Sequence, residues 1–318
     1  MELAPSIAVL TDGAAGNELQ ALALAHALSS EPPRVWQLRA RWPYSALAPR
    51  FAPVLAPSAW MPPLVQDPWP DLAVGCGRMG AAALLTVARA SGGRTRTLQI
   101  LDPRIDPGRY DVVVAPAHDQ LAGTNVIAIE GSLNAIDDAW LAQQRAQSPA
   151  LGRQPSPRTL VLIGGQRRGV ELGLASFERL AQTVARWRAR EGGSLWVIGS
   201  RRTPAAWRRK LRTLFAKAEL RWFDADDGAN PYRGALAWAD RIIVTADSVN
   251  MQSEALATGK PVFALCESEP AGKLGRFQRA QVAAGRLRLL GPEPLEWSYA
   301  PLRELQRIVP LVRARLSL

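Results

Sequence analysis

Short apolar runs alternate with longer amphipathic stretches along most of this chain. In the first half, SIAVL (6–10), RVWQL (34–38), LAVG (72–75), RTLQIL (96–101), DVVVA (111–115) and NVIAI (125–129) read as strands. Between them, NELQALALAHAL (17–28) and RMGAAALLTVARA (78–90) have helical length and periodicity. Strand-length runs separated by helices are the pattern of parallel sheets with crossover helices.

The pattern pauses at QSPALGRQPSPR (147–158), where prolines, serines, glycine and arginines replace large apolar residues. Such a composition predicts a linker. Beyond it the alternation restarts: TLVLIGG (159–165), SLWVIGS (194–200), LRWF (220–223), RIIVTA (241–246) and PVFAL (261–265) are strands, with helices over 174–190, 204–218 and 232–239. The reading is α/β, with two Rossmann-like domains at 1–150 and 151–318 and a central cleft between them. A chain of 318 residues suits two such cores. In sheets of this kind ligands lie beyond the carboxyl ends of the strands, so the residues after each strand carry the chemistry.

Residues 39–70 depart from the pattern, with many prolines and with Trp42, Tyr44, Phe51, Trp60 and Trp69. One long helix is excluded. The favoured expectation is a surface excursion whose aromatics pack back on the first domain, the other being contact with lipid or a hydrophobic acceptor.

Charge adds a preference for anions. The net charge is +11, with only four lysines, so arginine carries it. In SRRTPAAWRRKLR (200–212), Arg208, Arg209, Lys210 and Arg212 are expected on a solvated helix face; no zinc finger, recognition helix or RNP-type strand accompanies them, and nucleic acid is not an expected partner. Cys76 and Cys266 have no metal-ligand spacing, and no metal or cofactor is expected. Without a basic lead at the N-terminus or an apolar run of spanning length, a cytoplasmic location is expected, with peripheral contact at the inner face of the membrane.

The strand ends hold the candidate chemistry. TDGAAGNELQ (11–20) leaves a strand through Gly13 and Gly16, presenting Asp12 and Asn17; GCGR (75–78) brings Gly77 and Arg78 to a similar turn. APAHDQ (115–120) sets His118 beside Asp119, a carboxylate neighbour that suits a general base. His26, seven residues after Leu19, is expected to be a packed core histidine. DADD (224–227) is read as a solvated loop rather than a metal site. IGGQRR (163–168) and GSRRTP (199–204) put Gly164, Gly165 and Ser200 beside paired arginines, among them Arg201 and Arg202, a plausible diphosphate environment. In TADSVNMQSEALATGKPV (245–262), Asp247 or Ser248 caps a helix that Gly259 ends, while Asn250, Met251 and Glu254 share one face. Helix N-termini favour phosphate, and a carboxylate one turn further suits ribose hydroxyls.

These motifs, with LIGG, NPY (230–232) and the 245–262 block foremost, resemble the bacterial relatives of the plant mitochondrial-fission (elongated mitochondria) protein family from about Ile7 to Gln278. That family is similar to GT-B glycosyltransferases and nucleotide-sugar 2-epimerases. The resemblance implies a nucleotide-sugar site from Gly164, Gly165, Ser200, Arg201, Arg202, Thr245, Asp247, Ser248 and Glu254, joined by Asn230, Tyr232, Asn250 and Met251. It further implies that Gly13, Gly16, Asn17, Gly77 and Arg78 face an acceptor, with Asp12, His118 or Asp119 as the base. The expected activity is transfer of a sugar from a nucleotide-sugar to an envelope or lipid-linked acceptor near an anionic membrane surface. A 2-epimerase-like isomerase or hydrolase, and a non-catalytic adaptor of the fission-protein type, are the alternatives.

Overall fold

A computed structural model describes residues 4–51, 54–64 and 68–318. The chain forms two compact units, one running to Ala135 and taking in Arg303–Leu318, the other Ile136–Leu302.

In the first unit, β1 (Ile7–Thr11), α1 (Ala15–Leu28) and β2 (Arg34–Gln37) are followed by the short β3 (Arg39–Ala40), α2 (Tyr44–Leu47) and β4 (Trp60–Met61). Then come β5 (Leu72–Cys76), α3 (Gly77–Ala90), β6 (Arg96–Ile100), β7 (Val112–Pro116) and β8 (Val126–Ile129). Six strands pair in parallel in the order β2-β1-β5-β6-β7-β8. The central strands IAVLT, LAVGC and VVVAP are buried at every position, as a parallel sheet covered on both faces demands. Ile7, Val9, Val74 and Val114 face a core shared with α1, whereas Leu10, Ala73 and Val113 face one shared with α3 and the 48–64 excursion.

The second unit runs α4 (Asp138–Gln147), α5 (Pro149–Gly152), β9 (Arg158–Ile163), α6 (Leu174–Glu191), β10 (Ser194–Gly199), α7 (Ala205–Leu214) and β11 (Leu220–Trp222). It continues with α8 (Tyr232–Trp238), β12 (Arg241–Thr245), α9 (Val249–Ala257), β13 (Val262–Leu265), α10 (Gly272–Ala283) and β14 (Leu287–Leu289). Its six parallel strands are ordered β11-β10-β9-β12-β13-β14. The chain then returns to the first unit in α11 (Glu304–Leu316), where Ile308, Val312 and Leu316 repeat at one helix face and join the core beneath α1. Arg307 donates to the Ala128 carbonyl at 2.6 Å and Arg313 to that of Leu28 at 3.0 Å, which fixes the helix at both ends. Among the described residues, no helix is long and apolar enough to cross a membrane.

Several expectations are revised. The units divide at Ala135/Ile136 and the chain end crosses back, whereas the sequence reading places the boundary at 150 and keeps 151–318 together. The expected linker is packed structure: α5 lies there, Arg158 Nη2 donates to the Gly152 carbonyl at 2.8 Å, and Arg145 and Arg158 stack over the Trp238 ring. Arginine aliphatic stems and cation–π contacts replace the missing large apolar residues. His26 is exposed, not a core residue, and so is Leu19. The heptad spacing does put them on one face, but α1 carries apolar residues nearly all round, and the face against the sheet is that of Gln20, Ala21, Leu24, Ala25 and Leu28. Residues 52–53 and 65–67 of the proline-rich excursion lie outside the described residues; the rest divides. Trp60 is fully buried and donates to Thr86 Oγ1, and Trp69 meets Trp36 edge-on, while Trp42 and Phe51 project outward.

Ile308 has no solvent exposure. Ile308→Ala is expected to destabilise the protein by about 2–5 kcal/mol, the usual cost of a large-to-small core change. Urea unfolding measures it; an unchanged midpoint would show that α11 contributes nothing to the first unit.

Candidate functional site

In the second sheet the chain proceeds outward from β9 through β10 to β11, then restarts on the other side of β9 with β12, β13 and β14. The reversal lies between β9 and β12, the switch point at which α/β sheets bind ligands. Adjacent strands β10, β9 and β12 end in Ser200–Arg202, Gly164–Gly165 and Thr245–Ser248, so these predicted residues are brought together.

Asp247 joins the three ends. Its Oδ1 accepts from Thr245 Oγ1 at 2.6 Å; its Oδ2 accepts from the Gly165 N–H at 3.0 Å and from Arg202 Nη2 at 2.7 Å. The residue is 0% exposed, so its carboxylate offers no face to a ligand. Its charge instead satisfies the buried Gly165 N–H and orients a half-exposed guanidinium. The Thr245 hydroxyl also accepts from the Gly164 N–H at 2.8 Å, and Arg167 Nη1 donates to the Asp247 carbonyl at 2.9 Å. Such packing needs glycine: a Cβ on Gly164 would stand 2.1 Å from Asp247 Oδ1, and one on Gly165 2.2 Å from the Arg202 carbonyl oxygen.

Sequence reasoning missed Thr203, whose hydroxyl accepts from the Ser200 N–H at 2.9 Å and reaches the Gly164 carbonyl at 2.7 Å. A threonine behind two arginines carries no signal of its own; only the adjacency of β9 and β10 reveals it. Ser200 turns inward as well, its Oγ accepting from the Arg202 N–H at 3.2 Å, while Arg201 is exposed. Beyond β9, a depression of about 380 Å³ is lined by Gln166, Arg167, Arg168, Val170 and Leu172.

Ser248 caps α9, its Oγ accepting from the Met251 N–H at 3.4 Å, and Gly259 adopts φ +74° two residues past the helix. Both features match the expected helix. Asn250, Met251 and Glu254 are half-buried, and the Tyr232 phenol donates to Glu254 Oε2. Burial raises the Glu254 carboxyl above its ordinary range, against the lowering by the Tyr232 hydrogen bond and Arg233. Burial also raises Tyr232, helped by the Glu254 charge. Asn230 is exposed and its Oδ1 accepts from the Tyr232 N–H at 2.9 Å, forming the turn that starts α8.

The first unit has its own switch point, between β1 and β5. Asp12 is exposed, its Oδ1 accepting from the Ala14 N–H at 3.0 Å, and Gly13 takes φ +81°. Asn17 and Gly77 come together: a Cβ on Gly77 would stand 2.7 Å from Asn17 Nδ2. Gly16 lies in the first turn of α1, and the unpredicted Glu18 receives the Thr11 hydroxyl at 3.0 Å. Arg78 is committed elsewhere, donating to the carbonyls of Ala48 at 2.6 Å and Ser45 at 2.8 Å. His118 and Asp119 follow β7, with Nε2 3.8 Å from the carboxylate oxygen. Strands β1 and β7 are three places apart, so at about 4.8 Å per strand their ends are separated by ~14 Å. Asp12 and the His118–Asp119 pair therefore follow strands that do not neighbour one another.

The DADD loop is partly solvated as expected, with Ala225 and Asp226 exposed, but its other two carboxylates are half-buried. Asp224 and Asp227 pair with Arg208 and Arg212, and the Arg212 hydrogen bond holds the Asp227 carboxyl below its ordinary range. Of the expected solvated face, Arg209 and Lys210 are exposed, while Arg208 and Arg212 are half-buried in these pairs. Among the described residues, no three His, Cys, Asp or Glu side chains gather as a metal site.

A carboxyl raised on folding favours the native state below its ordinary value of 4.5 and loses that contribution as pH rises through the native value. Glu254→Gln is accordingly expected to melt above wild type at neutral pH, by roughly 2–4 °C for each kcal/mol recovered, and to match it below pH 4.5. Melting curves across pH check this; a variant that melts lower at neutral pH contradicts the burial cost.

The structure resembles UDP-GlcNAc 2-epimerase from Methanocaldococcus jannaschii with a TM-score of 0.55 and 13% identity, over 97% of this chain and 99% of that one. It resembles the Neisseria meningitidis UDP-GlcNAc 2-epimerase bound to UDP-GlcNAc with a TM-score of 0.50 and 13% identity, over 96% and 89% of the two chains. The fold is thus GT-B-like. In sequence, the chain is 28% identical to mitochondrial fission protein ELM1 of Arabidopsis thaliana over 275 residues, 78% of this chain but 64% of the plant protein. With the mitochondrial fission ELM1 family model matching residues 15–316, the chain belongs to that family.

Proposed function

We propose that the chain binds a nucleotide-sugar at the β9/β12 switch point of the second unit and transfers its sugar to an acceptor hydroxyl. The observation that carries this reading is the Asp247 cluster, which orients the half-exposed Arg202 guanidinium beside the α9 N-terminus. Phosphate oxygens suit that set: a guanidinium and the positive end of a helix. Exposed Arg201 and the arginine-lined depression after β9 add charge of the same sign. Glu254 then serves as acceptor for ribose hydroxyls, with Tyr232 holding the carboxylate and Asn230 shaping the turn behind it. Asp247 acts as a positioning residue. The epimerase that carries UDP-GlcNAc in the same fold supports the ligand class.

In the reaction, the acceptor oxygen forms the new bond to the anomeric carbon as the bond to the diphosphate breaks. The nucleoside diphosphate leaves with the electron pair, and its charge is met by Arg201, Arg202 and the Ser248 helix start. We assign removal of the acceptor proton to Asp12, which is exposed and follows β1 at the first unit's switch point. The His118–Asp119 pair is the rival base. A base of either kind contributes about 10² to 10⁴ in rate.

The fold likeness to two 2-epimerases favours a second reading, an isomerase or hydrolase acting on the nucleotide-sugar itself. An adaptor without catalysis is the third. Thermal shift with UDP-, GDP-, ADP- and CMP-sugars separates them. Stabilisation with sugar transferred only when an acceptor is present is expected; altered sugar without acceptor points to the isomerase, and no shift with any of the panel to the adaptor. Glu254→Ala should weaken nucleotide affinity about 10- to 100-fold, the value of a charge-assisted hydrogen bond. Asp12→Asn should slow turnover with affinity retained. Unchanged affinity in Glu254→Ala would remove that residue from the site.

A further inference from the structure

We propose that residues 39–51 of the first unit, with Met61, dock on an anionic lipid bilayer surface. Trp42 is 84% exposed and Phe51 75%, and Tyr44, Leu47 and Met61 are exposed beside them in sequence or across the β3–β4 pairing, where Arg39 faces Met61. The segment is held from behind: Ala48, Leu55 and Trp60 are buried in the core, Arg78 binds the carbonyls of Ser45 and Ala48, and the Arg41 N–H donates to the Ala59 carbonyl at 2.8 Å. The aromatics therefore project from a fixed base.

Charge identifies the occupant. From residue 32 to residue 64 the sequence has no Asp or Glu, while Arg39, Arg41 and Arg50 are exposed and pair with no carboxylate among the described residues. Two copies meeting at this face would oppose arginine with arginine, which disfavours self-association. Tryptophan and tyrosine settle at the headgroup level of a bilayer, and arginine beside them binds anionic headgroups. An aromatic anchor and a basic patch are the two signals that together give stable peripheral binding.

The full chain, without nucleotide, is sedimented with phosphatidylcholine vesicles and with vesicles that also contain phosphatidylglycerol. Binding to the second kind only, weakening as salt rises, is expected. Trp42→Ser with Phe51→Ser should weaken it at least about tenfold. Replacing Arg39, Arg41 and Arg50 by glutamine should weaken it roughly fivefold per arginine and remove the salt dependence. All these positions are exposed, so thermal melting should be unchanged. Binding by the serine variant equal to wild type, equal binding to both vesicle kinds, or binding to neither overturns the proposal. So does an oligomer that the serine variant dissolves, which would assign the face to a second copy. Because no nucleotide is present, the outcome is independent of the transferase reading.

Discussion

One buried carboxylate organises the second unit. Three neighbouring parallel strands end at the same edge, and their loops would diverge without a common partner. Asp247 supplies it by accepting from the Thr245 hydroxyl, the Gly165 N–H and Arg202 together. A buried charge is tolerated only when hydrogen-bonded and paired, and here both conditions are met. The need for glycine at 164 and 165, the inward turn of Ser200 and the orientation of Arg202 all follow from that cluster.

Glu254 shows the opposite economy. Its carboxyl is half-buried against Tyr232 and is harder to ionise than a free one, so the native state bears a cost at neutral pH. An amide side chain there keeps an acceptor for the Tyr232 phenol without that cost, whereas an apolar one leaves the buried hydroxyl unpartnered. Retained ionisable groups of this kind are characteristic of sites where stability is traded for binding. The Asp224–Asp227 loop is the contrasting case, because its carboxylates are matched by Arg208 and Arg212 and serve the fold.

Much of this was legible in sequence. Apolar runs at strand length gave both sheets, since strands buried on two faces tolerate few polar residues, and the resemblance through the 245–262 block named the family correctly. Pairing order was not legible, and with it went the adjacency of β10, β9 and β12 and the role of Thr203. Composition misled at 147–158, where arginine stems and Trp238 do the packing usually left to leucine and valine. Helical spacing alone could not tell which face of α1 turns inward, so His26 was misplaced. The return of α11 depends on contacts formed only after both sheets exist, and no local pattern announces it. In the proline-rich excursion, aromatic content said nothing of which rings would be buried. Trp60 lies in the β3–β4 ladder and is fully buried, while Trp42, two residues beyond β3, is exposed.

The central claim is that the strand ends gathered by Asp247, with the helix that follows, receive the diphosphate and ribose of a nucleotide-sugar. Amide hydrogen exchange of the full chain with and without UDP-GlcNAc tests it most directly. Slowed exchange over residues 164–168, 200–203 and 248–254 is the predicted result. Exchange in all three segments left unchanged at saturating ligand, or protection confined to other parts of the chain, would contradict it.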